Sequence, residues 1–355
     1  MASVQVKPTS NWLEVAIKRR RELLMYGFAG IATIGATLGA VAFFLVKQHR
    51  KNKVYSRTAE IACLLRALSR KEAEPRYRVR DHLAQYFLPW HYRLLLSIAP
   101  WYIKNRAMKT VPAGLSWLIA RTHIYDHIVE SSLVNERDIT QVVILGAGFD
   151  TRFSRLHFPS DREIRLIEID APETQRYKQS ILASLPDEVT GKNIVGRPQI
   201  SYVPVNFETD TIEAALMRST AYNPAAKTLF LWEAVTPYLT STAVDSVIQF
   251  VRDFSGAGST LAFDVRYLEA IKGTKRYNMS ALTSTVGNLR EPFKFGVPEG
   301  TSRQWALSKG LDVHAIFTPN EFAEYLTSDS SYNLEIPDIM DIIVAKTPIP
   351  SEKDS

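Results

Sequence analysis

Hydrophobic and polar positions divide the 355-residue chain into three regimes. The first is Leu23–Val46, LLMYGFAGIATIGATLGAVAFFLV, 24 residues without a charge. As a helix it would extend roughly 36 Å at about 1.5 Å per residue, enough for a bilayer core about 30 Å thick. In the second regime apolar residues recur at three- and four-residue spacing among charged ones. Ile61, Leu64, Leu65 and Leu68 mark a helix within 54–70, and 81–98 and Gly114–Glu130 read as two more. From Thr140 the runs shorten: QVVIL (141–145), IRLIEID (164–170), ISYVPV (200–205), TLFLWE (228–233) and STLAFDV (259–265) read as strands. Between the last two, Ser241–Phe254 carries Val244, Val247, Ile248 and Val251 on one helical face. Strands alternating with helices predict a parallel sheet covered on both faces, with ligands beyond the carboxyl ends of its strands.

Charge changes the reading of the first regime. The net charge is +6, and the excess concentrates at the N-terminal end, which argues against a nucleic-acid partner. Lys18, Arg19, Arg20 and Arg21 precede the apolar segment, and Lys47, Arg50, Lys51 and Lys53 follow it, as snorkelling ends of a membrane anchor do. A cleaved signal peptide has a shorter apolar region, about 7–15 residues. The basic stretch Met1–Arg21 leaves mitochondrial targeting open, and the balanced flanks set no orientation. Gly35 and Gly39 form a GxxxG pair that can seat a second helix, a route to self-association. The organisation expected is a basic tail (1–22), a transmembrane helix (23–46), a basic linker (47–55), a catalytic domain (56–347) and a polar tail (348–355). A single cysteine, Cys63, excludes a disulfide framework, and the isolated His157 and His314 give no metal site.

Candidate chemistry begins at VVILGAGFDTR (142–152). Gly146 and Gly148 match the first two glycines of a dinucleotide turn, but the third is missing and Asp150 places a carboxylate near the helix start. That anion would repel a phosphate there. S-adenosyl-L-methionine carries a sulfonium and an ammonium and no phosphate, so it avoids the conflict. Asp150 equally suits an N-cap. Asp170 ends the second strand 22 residues after Gly148, near the spacing of about 20 at which an acid meets a ribose.

Together with SRTAEIACLLRA, ARTHIYDHIV, VPVNFE, WEAVTPYL, EPFKFG and TPNEFAEYL, this turn resembles the leucine carboxyl methyltransferase-like family of S-adenosylmethionine-dependent methyltransferases over roughly Ser56–Lys346. The resemblance implies an α/β fold: a Rossmann-like class I methyltransferase sheet, mostly parallel with the last strands antiparallel. N-terminal helices and a helical lid insertion accompany it, and one transmembrane helix precedes it. It also implies that Arg121 meets the methionine carboxylate, Gly146 and Gly148 form the turn under the cofactor, and Asp170 holds the ribose. Asn206 and Phe207 flank the adenine, and Glu233 lies near the methionine amine. Asn206 departs from the usual Asp, losing a charge but not an acceptor.

No catalytic residue is assigned. A carboxylate acceptor needs no base, whereas a hydroxyl does, and His123, Tyr125 and Tyr238 are the nearest candidates. The insertion Arg266–Leu311, with Tyr267, Tyr277, Met279, Phe293, Phe295 and Trp305, reads as an aromatic lid over an apolar or acidic acceptor. The expectation is a single-pass membrane-anchored O-methyltransferase, facing the cytosol where its cofactor is made, acting on a small or lipid-soluble hydroxyl or carboxyl acceptor. The alternatives are a carboxyl methyltransferase of a protein C-terminus and a degenerate membrane-anchored relative that only binds partners.

Overall fold

The predicted aliphatic runs become β1 (Gln141–Leu145), β2 (Arg165–Asp170), β3 (Ile200–Pro204), β4 (Thr228–Trp232) and β5 (Thr260–Arg266). Two later strands, β6 (Asp312–Phe317) and β7 (Met340–Lys346), complete one sheet ordered β3-β2-β1-β4-β5-β7-β6. In this computed structural model, residues 55–110, 114–191, 198–207, 209–273, 291–319 and 336–349 are described, with positions 283, 284, 287, 321 and 324. The apolar segment 23–46 with its basic flanks, the tail from 350, and Tyr277 and Met279 lie outside them. Among the described residues, no helix is long and apolar enough to cross a membrane. Tyr55–Ser355 forms one compact unit, the one described below.

Strands β1 to β5 pair in parallel, and β7 runs antiparallel to both β5 and β6. The last strands thus pair antiparallel, as expected, with β7 the reversed strand between β5 and β6. Alternate strand residues feed two cores. Val142, Ile144, Leu229, Leu231 and Ala262 belong to one, and Val143, Leu145, Phe230, Trp232 and Phe263 to the other. A sheet buried on both faces explains why these strands read as unbroken apolar runs.

Helices cover both faces. On one side lie α1 (Arg57–Ser69), α2 (Trp90–Ile98), α3 (Pro100–Thr110) and α4 (Gly114–Asn135). The stretch 81–98 is not one helix, because Pro89 has no N–H to continue it and Leu88 before it is held extended at ψ 144°. A 3-10 turn, Ala84–Phe87, precedes the break, its start held by Asp81, which accepts from Leu83 N (3.1 Å) and Ala84 N (2.9 Å). Helix α4 is buried around most of its surface, including the polar Arg121, Thr122 and Asp126.

The chain then runs through α5 (Arg152–Arg155), α6 (Pro172–Ala183), α7 (Ile212–Arg218), α8 (Ser241–Asp253) and α9 (Ser302–Ser308). Thr240 caps α8 by accepting from Ala243 N at 3.2 Å. Its face of Val244, Val247, Ile248 and Val251 packs on the second core, each burial contributing about 1.5–3 kcal/mol. An acidic substitution at Val247 would detach that helix.

Candidate functional site

Beyond the carboxyl ends of the strands lies a cavity of about 370 Å³. All seven expected residues line it: Arg121, Gly146, Gly148, Asp170, Asn206, Phe207 and Glu233. The sheet order deals six of them out along one edge, and Arg121 comes from α4. Asn206 and Phe207 follow β3, Asp170 ends β2, the glycines follow β1 and Glu233 follows β4. At about 4.8 Å per strand this row spans about 14 Å.

The turn after β1 needs its glycines. Gly146 has φ +68°, and a Cβ there would lie 2.4 Å from Val235 Cγ2. Gly148 has φ +47°, and its N–H donates to Asp170 Oδ2 at 2.5 Å, while Ala171 N donates to Oδ1 at 2.7 Å. Two backbone amides thus fix the Asp170 carboxylate, and each oxygen keeps a second lone pair for a ligand. Burial raises its pKa and the two amides lower it, leaving it at about 6.

Asp150 also lines the cavity, yet its oxygens serve Arg152. One accepts from Arg152 N at 2.7 Å, and the other pairs with the Arg152 guanidinium. Burial would raise its pKa, but the Arg152 charge, then that of Lys178, brings it down to about 2. The carboxylate is the resident anion at the start of α5, and Thr151 makes no cap bond of its own.

Arg152 is the residue that sequence reasoning missed. Its Nη1 meets Glu233 Oε2 at 2.6 Å and its Nε donates to Asp126 Oδ1 at 2.8 Å. Glu233 Oε1 accepts from Arg121 Nε at 2.6 Å, and Arg155 grips both Asp126 oxygens at 2.6 and 2.7 Å. Three guanidiniums and three carboxylates therefore balance, all nearly buried. Burial works against the Arg152 charge, but Asp150, Glu233 and Asp126 hold its pKa well above the usual arginine value. The one available signal was its place in the GAGFDTR string.

Next to Glu233, Ala234 has φ +58°, a costly conformation for a residue with a Cβ. Its N–H donates to Asp264 Oδ1 on β5, which Tyr125 OH also reaches at 3.4 Å. Asp264 is fully buried, and burial raises its pKa.

One strand further, at the end of β5, the cavity changes character. Arg266 is 3% exposed, and its Nε and Nη1 have no hydrogen-bond partner among the described residues. Its guanidinium lies 4.5 Å from the Phe293 ring centre and 5.6 Å from that of Trp117, both cavity residues. Burial draws its pKa below the usual value. Tyr238 lines the same end, 5.3 Å from Phe293 between ring centres.

Two expectations need correcting here. Of the three candidate bases only Tyr238 lines the cavity. Tyr125 is fully buried against Asp264, and His123, on α4, is not among the lining residues. Of the described lid aromatics only Phe293 lines it. Phe295 and Trp305 pack at 5.5 Å in the core on the opposite face of the sheet, and Tyr267 OH donates to Asp341 at 2.6 Å. Glu291, two residues before Phe293, also lines the cavity and accepts from Arg57 N (3.2 Å), Thr58 N (3.3 Å) and Thr58 Oγ1 (2.5 Å) at the start of α1.

A model of the leucine carboxyl methyltransferase family matches residues 59–252, more than half of the chain and every expected site residue. The chain belongs to that family. A Mycobacterium avium protein named as a putative S-adenosyl-L-methionine-dependent methyltransferase is 29% identical over 59% of this chain and 63% of its own length. A Mycolicibacterium smegmatis protein of the same name is 32% identical over 57% of this chain and 63% of its own. The match thus spans under two thirds of these relatives. Among solved structures, a DUF574 family protein from Streptomyces avermitilis is 16% identical with a TM-score of 0.49, covering 71% of this chain and 91% of that one. The enzyme class and the cofactor expected from the sequence, a methyltransferase using S-adenosyl-L-methionine, are those of the named relatives.

Proposed function

We propose that this chain is a membrane-tethered S-adenosyl-L-methionine-dependent O-methyltransferase whose acceptor is a small or lipid-soluble molecule bearing a carboxylate. The observation that carries this reading is Arg266, a buried guanidinium whose Nε and Nη1 have no hydrogen-bond partner among the described residues, set beyond Glu233 in the row of site residues. Asp264 acts on this charge through space without a hydrogen bond, and buried donors without acceptors are costly, so the site suits an anion that arrives.

The residues fit the cofactor end to end. Asn206 and Phe207 would take the adenine, and Asp170 the ribose hydroxyls. Arg121 and Glu233, already paired with each other, would take the carboxylate and ammonium of the methionine part. When bound, the cofactor supplies a methyl group activated by its sulfonium. The protein's share is then to align the acceptor and exclude water. A carboxylate acceptor requires no proton transfer. For a hydroxyl acceptor the cavity offers Tyr238, but burial raises its pKa, away from what a base needs. The rings of Trp117 and Phe293 suit an apolar body behind the acceptor's charge.

The tether rests on the 24 uncharged residues of Leu23–Val46 between basic flanks. A domain using a cytosolic cofactor faces the cytosol.

The test uses the full chain in lipid nanodiscs. Calorimetry with S-adenosylhomocysteine should give a single site per chain. Methyl label should then pass to an organic-extractable, base-labile product when membrane extract is the acceptor pool. Label confined to protein C-termini would favour the protein carboxyl methyltransferase instead. Absence of cofactor binding would leave a degenerate relative.

A further inference from the structure

A helix pair on the surface carries apolar side chains where polar ones belong. On α2, Trp90, Leu94 and Ile98 recur at i, i+4 and i+8, so they share one face, while Leu96 is buried on the other. On α3, Trp101, Tyr102 and Met108 are turned outward while Ile103 is buried. All six are half exposed or more, and they make up most of the large apolar side chains that are exposed among the described residues. Only Ala99 separates the two helices. Such a concentration marks a contact surface rather than scattered exposure.

Its chemistry distinguishes among partners. Trp90–Thr110 contains Arg93, Lys104, Arg106 and Lys109 and no Asp or Glu. Lys104 is paired with Glu72 at 2.7 Å, so Arg93, Arg106 and Lys109 carry the basic character, and two Trp and a Tyr beside Leu, Ile and Met among them are what the boundary between acyl chains and anionic headgroups favours. Chain length agrees. The uncharged segment ends at Val46, nine residues before Tyr55, so the linker reaches at most about 30 Å. A domain held that near a bilayer has lipid as its most concentrated neighbour.

We propose that the α2–α3 face is a membrane-docking surface that seats the catalytic unit on anionic phospholipid. Helix α1, which supplies Ile61 and Leu65 to the cavity, packs against both α2 and α3. Docking therefore brings the cavity's helical roof against the phase in which a lipid-soluble acceptor dissolves. The inference uses the proposed tether only for proximity, and the experiment separates the two.

The full chain carrying Ile98→Cys, and separately Val134→Cys as an exposed control on α4, is labelled with a polarity-sensitive fluorophore. Cys63 is fully buried and stays unlabelled. The chains are inserted singly into phosphatidylserine-containing nanodiscs. Emission at 98 should shift to the blue and be quenched by lipid-borne spin labels, with 134 remaining water-like and the effect at 98 shrinking in neutral lipid. An inserted chain whose position 98 stays water-like overturns the docking face and leaves the tether standing. If the chain fails to insert, free vesicles decide: lipid quenching at 98 keeps the face and removes the tether, and no quenching removes both. Energy transfer between 98-labelled chains in detergent, without lipid quenching, would assign the face to a second copy instead.

Discussion

Two arginines at one site, Arg266 lining the cavity and Arg152 set behind Asp150 and Glu233, are buried to the same degree, 3% exposed each, and are treated in opposite ways. Arg152 is enclosed by Asp126, Asp150 and Glu233. Arg266 has two ring faces beside it, and its Nε and Nη1 have no acceptor among the described residues. The difference divides the site into a part completed by folding and a part left to be completed by a ligand. Around Arg152 the charges are balanced within the protein, so the turn, Glu233 and Asp150 are fixed before anything binds. Around Arg266 the Asp264 charge acts only through space, and the proposed acceptor anion would supply the missing hydrogen-bond acceptors.

The largest expected effect comes from removing Arg152. Arg152→Met strands Asp150 and Glu233 Oε2 and takes one donor from Asp126, and removing one partner of a buried pair costs about 3–5 kcal/mol. The midpoint of urea unfolding should fall accordingly, and binding of S-adenosylhomocysteine should fall with it. An unfolding midpoint unchanged by this substitution would remove the structural half of the comparison.

Next in size is Asp170→Asn, which removes the charge proposed to accept from the ribose and one of the two acceptor oxygens that hold Gly148 N and Ala171 N. Hydrogen bonds to a charged group contribute about 1.5–3 kcal/mol, so affinity for S-adenosylhomocysteine should weaken about 10- to 100-fold in calorimetry. The same carboxylate sets a pH signature. Burial lifts its pKa from the ordinary 3.8 to about 6. The folded state therefore binds this proton more tightly than the unfolded one. The group's contribution to stability is full below pH 3.8 and is lost as pH rises through 6. Cofactor affinity moves the other way, falling as pH drops below about 6 and the carboxylate protonates. In Asp170→Asn this pH dependence should disappear. A wild-type affinity flat from pH 7 to 5 would count against the ribose role.

The same division explains what could be read from sequence. The strands lie within a residue or so of the aliphatic runs, because a sheet buried on both faces writes itself as consecutive apolar residues. Positions such as Gly148 and Asp170 were legible since a turn and a strand end fix them locally. Residues whose meaning depends on distant partners were not. Arg152 becomes a site residue through Asp126 and Glu233, which come from a helix and a strand far from it in sequence. Arg266, in an apolar strand ending DVR, gave no sign of whether it would meet solvent or a cavity. Phe295 and Trp305 went to the opposite core for the same reason, since an aromatic near a strand can serve either face. The break at Pro89 was the opposite case: a local signal was present, and the apolar spacing on both sides of it masked it.

The smallest effect on the folded protein, and the sharpest for the comparison, belongs to Arg266→Met. Methionine keeps contact with Trp117 and Phe293 but removes buried donors that have no acceptor among the described residues, so stability should hold or rise, by up to about 1 kcal/mol, where Arg152→Met loses several. Affinity for S-adenosylhomocysteine should stay within about twofold, because Arg266 stands beyond Glu233 in the row. The loss should fall on the acceptor: KM for a carboxylate substrate rising about tenfold or more, corresponding to one charge-assisted hydrogen bond of about 1.5 kcal/mol. Urea unfolding, calorimetry and initial rates on the one variant check all three. A drop in stability equal to that of Arg152→Met would mean that Arg266 is balanced within the fold, and the distinction between the two arginines would be lost.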